Sequence, residues 1–229
     1  AVRFDADSAR IKGNLSLGVN SALYGNGTHS NSNQTLINGA GKLTAWENYA
    51  FVDLVASVSR QPVSAFRPTG GDTVTGNNWT EVRLFQATPY VKGHFGSTGT
   101  VEARYSLTDT DSSSSVINRT KTNVLSLNAN DARAFGDFGW SFGYSDSHTQ
   151  RTAYRDIDHT TARLNGIVTI DPQLTLRVIG GTERNNYSAV TTTTSLYGGG
   201  VDWFPSQVSK LSATVEHRFF GTGYNITGE

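Results

Sequence analysis

Hydrophobic and polar residues alternate along most of this chain. The clearest run begins at Leu211: Leu211, Ala213, Val215, His217 and Phe219 take one set of positions, and Ser212, Thr214, Glu216 and Arg218 take the other. A period of two marks a β-strand with two chemically different faces. The same alternation predicts strands at Arg10–Tyr24, Gln34–Leu43, Tyr49–Gln61, Glu81–Phe95, Thr98–Thr108, Thr120–Asn130, Phe138–Ser145, Thr160–Ile170, Leu174–Arg184 and Ser195–Phe204. The Leu211 strand is the eleventh, and a twelfth begins after Gly221. Twelve is a lower bound.

One face of such a strand is oily and the other polar, and the pattern alone fits two environments. In a soluble sandwich the oily face meets a second sheet; in a membrane barrel it meets lipid while the polar face lines a lumen. Two regularities favour the barrel. The strands run to roughly 10–15 residues, against a usual 5–6. Long polar segments (GNGTHSNSN, PVSAFRPTGGDTVTGNNW, DTDSSSSVIN, Asp146–Asp158, NNYSAVTTTT) also alternate with short turns at Ala45–Asn48, Gly96–Ser97, Asp131–Asp137, Asp171–Gln173 and Pro205–Gln207. In an up-and-down meander this sorts the long loops to one end, as in outer-membrane barrels. Trp46, Phe95, Phe138, Trp140, Trp203 and Phe204 sit by the short turns, and Tyr24, Tyr105, Tyr144, Tyr187 and Phe219 towards the long loops. Trp46, Phe95, Trp140, Tyr144, Trp203 and Phe219 are therefore expected to form two aromatic girdles. The expected fold is a single all-β domain over residues 1–229, an antiparallel up-and-down transmembrane β-barrel.

Charge sharpens the picture. An Arg or Lys on the lipid face near the midplane costs about 2–4 kcal/mol. The charges well inside strands fall on the opposite face: Lys12, Lys42, Asp53, Lys92, Glu102, Arg104, Arg163, Arg177, Glu183, Asp202, Glu216 and Arg218 are the expected lumen-lining residues. Glu102/Arg104 and Glu216/Arg218 are same-face neighbours and are expected to pair. Arg83 and Arg184 fall on the oily side at strand ends, where long side chains reach headgroups. Pro89, in mid-strand, lacks a ladder donor and predicts a bulge or local opening.

Composition narrows the classes further. The 19 basic and 19 acidic residues cancel, so no bulk charge points to nucleic acid. No apolar run is long enough for a spanning helix, but hydropathy averages hide barrel strands. The absence of cysteine removes disulfides, thiolate metal sites and thiol catalysis. The start, AVRFDADSAR, has neither Met nor a signal peptide, so the chain is expected to be a mature or trimmed product.

Candidate chemistry is sparse. A barrel lipase needs Ser, His and an orienting Asn or Asp at the rim; His29, His148 and His159 lie in expected loops without a motif, and His94 and His217 lie in strands. Asp156-Ile157-Asp158-His159 is the nearest approach to an omptin-like protease. Asp109-x-Asp111 offers hard oxygen ligands for calcium but lacks the rest of a loop site. Gly70-Gly71 and Gly96-x-x-Gly99 open no helix and read as turns. The Asn-x-Ser/Thr triplets at Asn26, Asn33, Asn78, Asn118, Asn186 and Asn225 read as polar loops. No cofactor, metal or catalytic residue is expected, and the chain is read as a non-enzyme.

Trp203-x-Pro205-Ser206, Leu211-x-Ala213, Arg218-x-Phe220-Gly221 and Tyr224 resemble the outer-membrane β-barrel proteins of PEP-CTERM/exosortase exopolysaccharide systems. Further matches are Ser57 to Gln61 followed by Pro62-Val63-Ser64, Thr88-Pro89-Tyr90, and Gly181-x-Glu183 with Tyr187. The resemblance covers the chain from about the second strand onward. Its motifs are short and mostly structural, and it transfers no catalytic residue. It implies a barrel linked to exopolysaccharide or envelope export. Family members are typically longer, and the end Asn225-Ile226-Thr227-Gly228-Glu229 lacks a terminal aromatic strand.

The expected function is a porin-like polar channel or conduit in a Gram-negative outer membrane. Its partners would be the bilayer with its lipopolysaccharide and a polysaccharide or envelope-export component. The alternatives are an adhesive or structural barrel with a plugged lumen and partner-binding loops, and an outer-membrane hydrolase.

Overall fold

The alternating pattern becomes a continuous antiparallel ladder in the computed structural model, which describes residues 1–23, 32–64, 66, 78–113, 118–187, 190–206 and 208–228. Thirteen strands follow in chain order: β1 (Val2–Asp7), β2 (Ile11–Ala22), β3 (Ser32–Trp46), β4 (Ala50–Pro62), β5 (Trp79–Phe95), β6 (Gly99–Ser112), β7 (Thr120–Phe135), β8 (Phe138–Arg151), β9 (Ile157–Asp171), β10 (Leu174–Asn185), β11 (Thr192–Ser206), β12 (Ser209–Arg218) and β13 (Gly221–Gly228). They form one sheet in the order β1 to β13, with each strand beside its neighbours in sequence. No helix occurs among the described residues, and none is long and apolar enough to cross a membrane.

Successive connections of a meander fall at alternate ends of the strands. The set 8–10, 47–49, 96–98, 136–137, 172–173 and 207–208 is two or three residues throughout. The other set, 23–31, 63–78, 113–119, 152–156 and 186–191, is longer, and 219–220 breaks the rule with a tight turn. Tyr24, His29, Asn26 and Gly70-Gly71 lie outside the described residues.

Three sequence expectations change. β1 is an addition to them; it is short and charge-rich, yet its alternation is complete, and Val2, Phe4 and Ala6 pair with Leu17, Leu15 and Gly13. The residues Asp131–Phe135 extend β7 instead of turning, so the turn is only Gly136-Asp137. The Asp146–Asp158 loop shrinks to residues 152–156, because β8 continues to Arg151 and β9 starts at Ile157. That stretch is polar on both faces, which resembles a loop in sequence while the backbone ladder runs on.

Nor do these strands close into the expected barrel. The order is linear, with β1 and β13 at its ends. Thirteen antiparallel strands leave the first and last running the same way, so closure by antiparallel pairing needs an even count.

The chain divides into two compact units. One comprises Ala1–Pro89, Ser106–Asn123 and Thr149–Asp156, and the other Tyr90–Tyr105, Val124–His148 and Ile157–Glu229. In β5 the division falls directly after Pro89, which is exposed within an unbroken strand.

Register in the first unit stacks like on like. Phe4, Leu15, Gly39 and Ala56 form one cross-strand row, and Val2, Leu17, Ile37 and Val58 another. On the other face the row is Asp7, Lys12, Lys42 and Asp53. In the second unit Val168, Leu176, Val201, Ala213 and Ile226 make a row five strands wide. The opposite face carries Asn165, Ile179, Gly198, Glu216 and Gly223.

Burial inverts the usual rule. Val178 is 69% exposed, while Ile179 and Glu183, on the other face of β10, are 2% and 0% exposed. In the second unit the apolar rows are the open surface and the charged face is the covered one, whereas in the first unit Asp7, Lys12 and Lys42 are exposed as well.

Gly136 shapes the β7–β8 turn with φ 69° and open space where a Cβ would stand. Gly136→Ala is expected to lower stability by about 1 kcal/mol through backbone strain alone, measured as a shift in the urea-unfolding midpoint.

Candidate functional site on the charged face

The second unit holds nine of the twelve expected lumen residues, all but Lys12, Lys42 and Asp53. Glu183 on β10 is fully buried and accepts two hydrogen bonds from Arg218 on β12, Nη2–Oε1 at 2.7 Å and Nε–Oε2 at 3.2 Å. Arg163 on β9 reaches Glu216 on β12 at 2.6 Å. β9 and β12 are three strand spacings apart, roughly 14 Å across a flat sheet, so these side chains stretch over β10 and β11. The residues beneath them include Gly181, opposite Arg163, and Gly198, opposite Glu216. Glycine in a strand interior marks a close approach; here it clears the floor for an arginine arm.

Around this core, His159 Nε2 lies 3.4 Å from Glu183 Oε1 and 3.0 Å from Thr161 Oγ1. Arg163 Nε donates to Asn165, which in turn donates to Ser141 on β8. Nearer the short-turn end, Asp202 accepts from Arg177 and Ser212. Arg104 pairs with Glu102 at 3.1 Å and stacks over the Tyr90 ring at 4.1 Å. Lys92 and Glu102 line a hollow of about 460 Å³ with His94, Asn128 and Arg163.

In the first unit, Lys12 faces Asp7 at 3.6 Å, and both are largely exposed. Lys42 stands opposite Asp53 in the register and over the Phe51 ring at 4.7 Å. The expected lumen residues thus form several groups. Arg163, Glu183, Glu216 and Arg218 form one network, Arg177 with Asp202 a second, Glu102 with Arg104 a third, and Lys12, Lys42 and Asp53 share one row. Sequence reasoning passes over Asn165, takes His159 only as a loop residue of a hydrolase candidate, and takes Tyr90 only as part of the resemblance. His159 keeps the same alternation phase as Arg163, a signal hidden because the sequence pattern starts the strand at Thr160; Asn165 keeps it too, but it carries no charge to mark it.

The aromatic residues follow the apolar face. Trp46 and Trp203 are exposed beside short turns, and Phe95 stacks on Trp140 at 6.0 Å between ring centres. Phe219 lies in the 219–220 turn, 5.8 Å from Tyr187. Tyr144 and Tyr105 sit in mid-strand, with polar positions of the same face beyond them towards the long connections. The cause is that the strands outrun the apolar belt. Beyond Tyr144 the same face carries Asp146, His148 and Gln150, and beyond Leu107 it carries Asp109 and Asp111.

Among the described residues, His159 does not become part of a hydrolytic relay. A triad needs nucleophile and acid on opposite nitrogens of one imidazole. Thr161 and Glu183 approach the same nitrogen of His159, whose Nδ1 is buried without a partner. His148 and Asp158 do meet, and Asp158 is also held by Asn186. Asp109 binds Arg119, and its hydrogen bond raises Arg119 above the ordinary guanidinium range. No group of three His, Asp or Glu poised for a metal exists among the described residues.

The arrangement fastens strands through paired charges and gives this face of the sheet its polar character. No protein-family model and no curated protein matches the chain.

Proposed function

We propose that the chain is a bacterial outer-membrane β-barrel protein whose charged face encloses a polar conduit. The observation carrying this is the inverted burial of the second unit, with its oily rows open and its ionic rows covered. In water, exposed apolar area costs about 25 cal/mol per Å². The rows across β9–β13 from Leu174 to Gly180 span roughly 20 by 20 Å, comparable to the whole of the largest apolar patch that a soluble monomer leaves open, roughly 300–600 Å². Lipid removes that cost. On β9 the apolar positions Ala162 to Ile170 extend roughly 26 Å along the strand at 3.3 Å per residue, which at a barrel tilt of roughly 40° rises about 20 Å, most of an apolar band about 25 Å tall. Further strands would complete an even-numbered barrel. The link to exopolysaccharide export rests on the resemblance of the Trp203-x-Pro205-Ser206 region.

The Arg163–Glu216 bridge supports a second reading, a barrel filled by its own ion pairs whose loops bind a partner. Single-channel recording separates the two: steps of conductance favour the conduit, and silence at all voltages favours the filled scaffold.

The membrane placement has its own test. Leu164 lies on the apolar face of β9, and Asn165 on the charged one. Leu164→Arg is expected to cost about 2–4 kcal/mol for the protein folded in phospholipid vesicles, read from urea-unfolding curves. Were the sheet soluble, an arginine at this exposed position would be close to neutral. A neutral result in vesicles would sink the membrane reading.

A further inference from the structure

At the long-connection end of the first unit, a hollow of about 330 Å³ is lined by Arg119, Lys121, Gln150, Arg151, Thr152 and Asp156. Three cationic side chains share this wall with one carboxylate. Like charges repel when gathered, so the fold must hold them in place, and it does. Thr152 N donates to the Arg119 carbonyl at 3.0 Å, tying the start of β7 to the end of β8. Arg151 Nη2 donates to the Arg155 carbonyl at 3.1 Å, and its guanidinium lies over the Tyr154 ring at 5.5 Å. Between them Ala153 holds φ 91°, in the left-handed region that favours glycine. Arg119 is fixed by Asp109 from the neighbouring strand.

One polar atom in this setting lacks a partner: Arg151 Nε is buried and makes no hydrogen bond. A buried guanidinium N–H without an acceptor calls for one. Arginine forks match tetrahedral oxyanions two bonds at a time, and lysine adds a point charge. Gln150 and Thr152 bring further donors to the same wall.

We propose that this hollow binds a phosphomonoester-type oxyanion, with Arg151 and Lys121 as its principal contacts. The site goes beyond the conduit reading. It lies where strands outrun the apolar belt, a level at which a lipid headgroup phosphate would be met, and a free phosphate has the same chemistry. Binding requires only that the first unit be folded, so it stands apart from the question of conductance.

The test uses the full chain folded in a neutral detergent, titrated calorimetrically with inorganic phosphate and, separately, with phosphatidic acid in mixed micelles. Sodium chloride at matched ionic strength and phosphatidylcholine are the blanks. Lys121→Gln and Arg151→Gln are each expected to weaken phosphate-type binding at least tenfold, with Lys121→Arg restoring most of it. Arg184→Gln, removing an exposed cation elsewhere, should leave it unchanged. Should Arg151→Gln fail to fold, Lys121→Gln carries the test alone. Affinity for phosphatidic acid well above that for free phosphate assigns the site to a headgroup, and equal affinity assigns it to the free anion. No binding of either probe, or equal loss with Arg184→Gln, overturns the proposal.

Discussion

Glu183→Ala is expected to destabilise the folded chain by about 3 kcal/mol, among the largest effects of any single substitution on the charged face. Breaking a buried ion pair by deleting one partner typically costs about 3–5 kcal/mol, because the surviving charge is left desolvated. Glu183 is entirely buried, and its two carboxylate oxygens take both hydrogen bonds from Arg218. Two features place the cost at the lower end. The Arg218 side chain keeps 32% of its accessibility, and Glu216 stands 3.8 Å from its Nε as a partial substitute partner. His159 also loses a neighbour at 3.4 Å. Replacing both partners with apolar groups, Glu183→Leu with Arg218→Met, is expected to recover most of the loss, since matched hydrophobic residues often equal a buried pair. Urea-unfolding midpoints for the two singles and the double measure the coupling. If Glu183→Ala and Arg218→Met were each within 0.5 kcal/mol of the parent, the network would be ornamental (about the scatter of ordinary surface changes).

How far this network could be read from sequence differs by level. The two faces were legible, because alternation is a local property and each strand states it for itself. Leu211 to Arg218 assigns its own sides, and so do Phe138 to Tyr144. Partners were less legible, because they depend on register between distant strands. Sequence pairs Glu216 with Arg218, its same-face neighbour two residues on. In the structure those two are 3.8 Å apart, while Glu216 is held by Arg163 and Arg218 by Glu183. Glu102 and Arg104 do pair as their spacing suggests. Strand ends were least legible wherever the outward face changes character. Asp146, His148 and Gln150 look like loop residues because they are polar, yet they continue β8 above Tyr144. A strand that leaves its apolar surroundings loses its hydrophobic signal before it loses its hydrogen bonds. β1 carries the same lesson, since Arg3, Asp5 and Asp7 mask the alternation of Val2, Phe4 and Ala6.

The glycine floor under the ion pairs yields the second large effect. A Cβ on Gly198 would lie 2.3 Å from the Val215 carbonyl oxygen and 2.9 Å from the Glu216 Cα. Both are backbone atoms of the paired strand, so no rotamer change relieves the contact, and β11 must move away from β12. Gly198→Ala is expected to cost about 1–3 kcal/mol as overpacking, and Gly198→Leu more, because its side chain also occupies the path from Arg163 to Glu216. Gly180 provides the control. It sits on the open apolar face of β10 with nothing within 4 Å of the point where a methyl group would stand, so Gly180→Ala should be neutral or stabilise by roughly 0.5 kcal/mol through reduced backbone freedom. A double-mutant cycle isolates the role of the floor. In the parent, Arg163→Gln should carry a clear penalty; in the Gly198→Leu background, where the bridge is already displaced, it should carry almost none. Additive penalties would show that Arg163 and Glu216 do not depend on the bare strand between them, and the explanation for these interior glycines would then fall back on local backbone crowding alone.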